Sequence, residues 1–144
     1  MKTSFKILFP FVIYVISSFT AYAQTGRFYT TDGGLSSSLI NHFFQDSKGF
    51  MWTATEYGLN SFDGLRFANY WHVSGDSTSI KNNYVRTLFE DSRQNLLIGC
   101  IDGLMRYDRE TNTFSEIPMI RAGKQVFPHV TQMQELHNGE IWMT

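Results

Sequence analysis

Beyond residue 24 the apolar positions fall in short runs separated by clusters of Gly, Asp, Ser and Asn, with no sustained three-to-four-residue spacing. That pattern predicts strands and no amphipathic helix. First strands are expected over 39–45 and 84–90, second strands over 50–55 and 96–100, third strands over 59–62 and 104–107, and fourth strands over 66–71 and 113–117. Runs such as His42-Phe43-Phe44 and Leu96-Leu97-Ile98 break the alternation of a sheet with one wet face. They suit a sheet packed on both faces.

Sliding the chain against itself by 45 positions superposes the pattern in one ungapped register. Phe44, Asp46, Ser47, Gly58, Leu59 and Asp63 fall on Phe89, Asp91, Ser92, Gly103, Leu104 and Asp108. A second shift carries Val85, Leu88, Glu90, Leu96 and Leu97 onto Val130, Met133, Glu135, Ile141 and Trp142, while Gly49 matches Gly139 and Trp52 matches Trp142 at twice the period. Four short antiparallel strands in about 45 residues make one propeller blade. The expected fold is therefore all-β, a partial β-propeller of about two and a half four-stranded blades, with a small β-sandwich as the alternative. The expected layout is a lead-in segment 24–38, blades at 39–73 and 84–118, and a partial blade at 129–144.

The turns carry their own chemistry. In Asp46-Ser47-Lys48-Gly49 an aspartate can bond the following backbone and a glycine can take positive φ, which caps a hairpin and buries Trp52 behind it. Asp63 and Asp108, each after an aromatic residue at a strand end, read as turn formers.

Composition adds a compartment. Lys2 and Lys6 precede an apolar run from Ile7 to Phe19 that ends in Ala21-Tyr22-Ala23, the layout of a cleaved signal peptide over 1–23. The run is too short for a membrane span, and Pro10 interrupts it. Export is expected, with cleavage after Ala23, into the periplasm, and with no membrane span in the mature chain. The single cysteine, Cys100, lies in an apolar run and reads as a small buried hydrophobe. With 12 basic and 13 acidic residues and no block of one sign, nothing points to nucleic acid or to an anionic membrane surface.

The stretch Gly34-Leu35-Ser36, Gln45-Asp46, Gly49, Trp52, Gly58-Leu59 and Phe62-Asp63-Gly64 resembles the repeat of the two-component regulator propellers. Those repeats form the periplasmic N-terminal sensors of hybrid histidine kinases in Bacteroidetes. The second copy departs from the pattern, with Gln94, Asn95 and Leu97 in place of the turn glycine, the aromatic residue and the tryptophan. The resemblance implies sensing, not phosphoryl transfer, and an oligosaccharide derived from a glycan as ligand. Residues 24–144 number 121, fewer than the roughly 180 of four blades, so these blades are expected to meet the remaining blades of a parent propeller or to self-associate.

Other chemistry is thinly represented. His42, His72, His129 and His137 lack metal-ligand spacing, Ser36 to Ser38 lack a nucleophile-elbow context, and no glycine-rich loop has phosphate-cradling spacing. No catalytic residue, cofactor or metal is expected. A pyranose offers an apolar face for stacking and hydroxyls for hydrogen bonds, so the candidates for ligand contact are Tyr57, Trp71 and His72, at or near inter-strand turns. A fragment of a glycan-active propeller enzyme and a purely structural repeat protein remain as alternatives.

Overall fold

A computed structural model of the chain describes residues 26–144. The segment read as a signal peptide lies outside the described residues. A short 3-10 turn, Thr31–Gly33, is followed by a four-stranded antiparallel sheet in sequential order: β1 (Ile40–Gln45), β2 (Met51–Thr55), β3 (Gly58–Phe62) and β4 (Phe67–Tyr70). A second sheet repeats it with β5 (Val85–Glu90), β6 (Leu96–Cys100), β7 (Gly103–Asp108) and β8 (Thr113–Ile117). Then come two hairpins, β9 (Met119–Arg121) with β10 (Lys124–Val126), and β11 (Met133–Glu135) with β12 (Ile141–Met143). The first hairpin was not predicted, since its short strands carry too few apolar residues to register as a pattern.

The two sheets share even their irregularity. The register of β1 on β2 shifts between Ile40 and His42, and that of β5 on β6 shifts at the equivalent Val85 and Thr87. The ungapped 45-residue register holds only through the third strand, however. Phe67 pairs with Phe62 and Phe114 with Tyr107, so the fourth strands stand 47 residues apart. Two extra residues in the β7–β8 turn account for the offset. A surface turn accepts them without disturbing the ladder.

The second sheet is buried on both faces, which decides between propeller and sandwich. On one face Val85, Leu88, Leu96, Ile98, Cys100 and Met105 pack against Trp52, Ala54 and Leu59 of the first blade. On the other, Leu97 and Leu104 pack against Val130, with Phe89, Ile117, Met133 and Ile141 around them. A sandwich sheet has one inner face, whereas a blade has two. The first strands β1, β5 and β11 neighbour one another, so the blades converge along that side.

Position within the series sets burial. Leu88 is 2% exposed against the first blade, while Phe43 at the same repeat position is 68% exposed on that blade's outer face. Part of that outer face is covered by the lead-in segment, where Tyr29 stands 5.0 Å from the Phe62 ring and 5.5 Å from Phe67. Trp52 is 1% exposed between Tyr70 at 5.8 Å and Tyr107 at 4.9 Å, whereas Trp142, its counterpart, is 65% exposed.

Candidate ligand-binding surface

The strand-connecting segments divide between two ends of the blades. At one end lie the turns that follow first and third strands, and there the aspartates are consumed by structure. Asp46 Oδ1 accepts the backbone N–H of Lys48 and of Phe50, each at 2.9 Å, while Oδ2 accepts Trp52 Nε1 and Arg109 Nη1, each at 2.7 Å. Burial works to raise its pKa, but the hydrogen bonds from Trp52, Arg109 and Phe50 outweigh that and hold it below the usual aspartate value. Asp91 repeats the turn, accepting N–H groups from Arg93 at 3.0 Å and Asn95 at 2.8 Å. Its Oδ2 takes the Asn95 side-chain amide at 2.7 Å where Asp46 takes the indole, which compensates for the tryptophan missing from this copy.

The glycine missing from the second copy is replaced in kind. Gly49 and Gly139 have φ of +88° and +83°, and Gln94 adopts φ of +64° at the equivalent position. Asp63 Oδ1 accepts Leu65 N and Arg66 N, each at 2.7 Å, and Asp108 Oδ1 accepts Glu110 N at 2.9 Å and Thr111 N at 3.2 Å. Backbone N–H donors, from Arg66 first in one turn and Thr111 first in the other, hold both carboxyls below the usual range. At this end Asp46, Asp63, Asp91 and Asp108 are each tied through Oδ1 to the backbone of their own turn.

The blades are also clasped together at this end, which sequence reasoning missed. Arg109 reaches from the second blade to Asp46 of the first and to Glu90, with Nη2 at 2.9 Å. Glu90 in turn accepts Ser47 N at 2.7 Å and Ser47 Oγ at 3.0 Å, and Glu135 holds Ser92 in the same way, at 2.7 Å for both. The available signal was the 45-residue spacing shared by the two glutamates and by the two serines.

The opposite end carries the predicted contact residues. Trp71 Nε1 donates to the Tyr57 carbonyl at 3.2 Å, and the indole lies over Gly58, where a Cβ would stand 3.0 Å from its Cδ1 and 2.8 Å from the Tyr70 carbonyl. Only glycine, at φ +116°, permits that approach. Asn83 gathers the group by accepting Gly58 N on its carbonyl at 2.7 Å and His72 N on Oδ1 at 2.7 Å. The His72 ring is tied through Nδ1 to the Ile80 carbonyl at 3.0 Å. Tyr57 and Trp71 remain 64% and 44% exposed, so the structure joins these two into an outward aromatic edge and places His72 beside it, anchored to the 76–81 loop. At the position matching Trp71 the second blade has Pro118, and that edge belongs to the first blade alone.

A second concavity runs along the converging strands, a cleft of about 760 Å³ lined by Asn41 and His42 of β1, Arg86 to Phe89 of β5 and residues 131–134. Its wall repeats: Asn41, Arg86 and Thr131 occupy one position of the 45-residue unit. Leu88 N donates to His42 Nδ1 at 3.1 Å, and burial lowers the histidine pKa, which keeps the ring neutral at pH 7. Cys100 is buried and its thiol is pushed up to about 12, chiefly by burial, which makes it an inert packing group. Among the described residues no three His, Cys, Asp or Glu side chains converge as a metal site would require.

The family profile for the two component regulator propeller matches residues 34–57, the stretch from the lead-in glycine to the β2–β3 turn. Residues 34–57 thus carry one two component regulator propeller repeat, and the second blade repeats its turns. Over 77 residues the repeats are 35% identical to "Histidine kinase P4" of Formosa agariphila, a match covering 51% of this chain and 6% of that protein. In three dimensions they superpose on the extracellular domain assigned to hybrid two component system BT3049 of B. thetaiotaomicron, with a TM-score of 0.70, 30% identity, and coverage of 81% of this chain and 17% of that one. A second such domain, BT4673 of the same organism, gives a TM-score of 0.68 at 26% identity, covering 85% of this chain and 17% of that one. The propeller repeats described here thus span less than a fifth of the proteins they match. No helix among the described residues is long and apolar enough to cross a membrane.

Proposed function

We propose that these blades are part of the extracytoplasmic, ligand-binding propeller of a hybrid two-component signalling system, and that they recognise oligosaccharides released from glycans. The likeness to extracellular domains of such systems carries this reading. The charged start and short apolar run over 1–23 support delivery to the periplasm. The work of the chain is binding, not catalysis: Asp46, Asp63 and Asp108 are each committed through Oδ1 to backbone donors of their own turns, and its aromatic edge has the form a sugar ring stacks on.

Binding of neutral gluco-, galacto- and xylo-oligosaccharides to the full chain, followed by isothermal calorimetry, tests the proposal. The expected result is saturable binding of at least one series, lost in Trp71→Ala while the unfolding midpoint is kept. Equal binding by wild type and Trp71→Ala would remove the aromatic edge from the site, and no binding of any series would count against oligosaccharide sensing.

A further inference from the structure

The wall of the cleft along the converging strands contains an unusual cation. Asn41 and Thr131, which share the repeat position of Arg86, are both committed: the Asn41 amide donates to the Val85 carbonyl at 2.7 Å, and the Thr131 hydroxyl to the Thr144 carbonyl at 2.8 Å. Arg86 is not. Among the described residues its guanidinium has no ion pair and no hydrogen bond, and its Nε is closed off from solvent without an acceptor. Its Cζ stands 5.4 Å from the centroid of the Tyr84 ring. Arg109 Nε is likewise closed off without an acceptor, but both Nη atoms of Arg109 pair with carboxylates and Lys81 pairs with Glu116, so the lack of any anionic partner is what sets Arg86 apart.

Among the described residues no aspartate or glutamate lines this cleft. Glu56, the acid in this neighbourhood, is bound to the Tyr84 hydroxyl at 2.8 Å and makes no ion pair with Arg86. A partly buried guanidinium without an anionic partner carries an uncompensated desolvation cost, and an oxyanion arriving in the cleft would offset it. The planar fork of arginine matches two oxygens of one acid group. The side-chain amides of Gln132 and Gln134 on the same wall have no internal hydrogen bond among the described residues, and can serve hydroxyl groups beside the acid.

We infer that the cleft binds the acid group of a polyhydroxylated ligand, with a carboxylate or sulfate ester paired to Arg86. The inference deepens the sensor reading and rests on it for the polyhydroxylated part of the ligand. It also adds a binding position distinct from the Tyr57–Trp71 edge.

The test is a titration of the isotope-labelled full chain with glucuronate, glucose 6-sulfate and glucose at constant ionic strength, following the Arg86 Nε–H and the backbone amides of 86–89 by NMR. The Trp52 indole N–H, bonded to Asp46, reports the folded blade junction. Expected is a saturable shift of Arg86 with one or both acids, a weaker one with glucose, and about tenfold or greater weakening in Arg86→Gln with the Trp52 resonance in place. A response to glucuronate alone assigns the site to carboxylates, and a response to both assigns it to oxyanions in general. If glucose acts as strongly as the acids, if Arg86→Gln binds them unchanged, or if none of the three shifts Arg86, the inference is overturned. Neutral oligosaccharide binding at Trp71 would then still uphold the sensor reading by itself.

Discussion

Glu90 grips Ser47 of the preceding blade with both carboxylate oxygens, one on the backbone N–H at 2.7 Å and one on the hydroxyl at 3.0 Å. One residue at the end of a first strand thereby caps a turn 43 residues away, and Glu135 does the same to Ser92. The clasp sets how one blade sits on the next.

Glu90→Ala removes the acceptor for Ser47 N and one of the two carboxylates facing Arg109. The expected cost is about 1–3 kcal/mol, because donors to a charged group lose their partner. Ser47→Ala, which keeps the backbone bond, is expected to cost less, about 0.5–1.5 kcal/mol. Urea unfolding of the two variants beside wild type gives the order. Equal effects would show that the backbone bond contributes nothing.

At Gly99 the second blade packs tightly on the chain entering the third. A Cβ there would meet Thr87 Cγ2 at 2.6 Å and the Val130 carbonyl at 2.9 Å. Gly99→Ala is expected to destabilise by about 1–3 kcal/mol through overpacking. Adding Thr87→Ser should recover part of the loss, because it removes one clashing atom and leaves the other. Thermal melts of the single and double variants measure this, and a harmless Gly99→Ala would mean that Val130 retreats freely.

Gln94 has φ of +64°, in the left-handed region, at the place where two other copies have glycine. Left-handed backbone costs a residue with a Cβ about 1 kcal/mol, so Gln94→Gly is expected to stabilise by about that amount. The urea midpoint should rise with an unchanged slope. A fall would show that the Gln94 side chain contributes more than the backbone strain takes away.

Asp46 has its pKa lowered below the ordinary 3.8 in the folded chain. The stability it supplies is complete above that value and disappears as pH falls through the lower folded-state value. Wild type should therefore lose stability faster than Asp46→Asn as pH drops from about 5 to 2, while Asp46→Asn is the less stable of the two at pH 7. Parallel pH profiles would place the acid sensitivity elsewhere.

Two classes of feature separate cleanly along this chain. Strands, turns and the all-β class were legible because each depends on neighbours in sequence: Asp46 bonds N–H groups two and four residues on, and glycine supplies the backbone angle beside it. The limits of that legibility are also local. Gln94 adopts the glycine-like angle without being glycine, and two residues inserted after Asp108 shift the fourth strand while the next blade returns to register. Of the candidate contacts, exposure near turns located Tyr57 and Trp71, and the bond between them became visible only when Gly58 brought the indole across the strand end.

The sequence by itself determined the 45-residue period, the hairpins within each blade and the apolar set available for burial, since these follow from side-chain alternation and turn chemistry over short distances. Tertiary structure decided which residues meet between blades. Arg109 finds Asp46 across 63 residues, whereas among the described residues Arg86 pairs with no acid, although both belong to the second blade. The physical reason is that pairing between blades depends on how two twisted sheets stack, a relation carried by all of their packed side chains together and by no single local stretch.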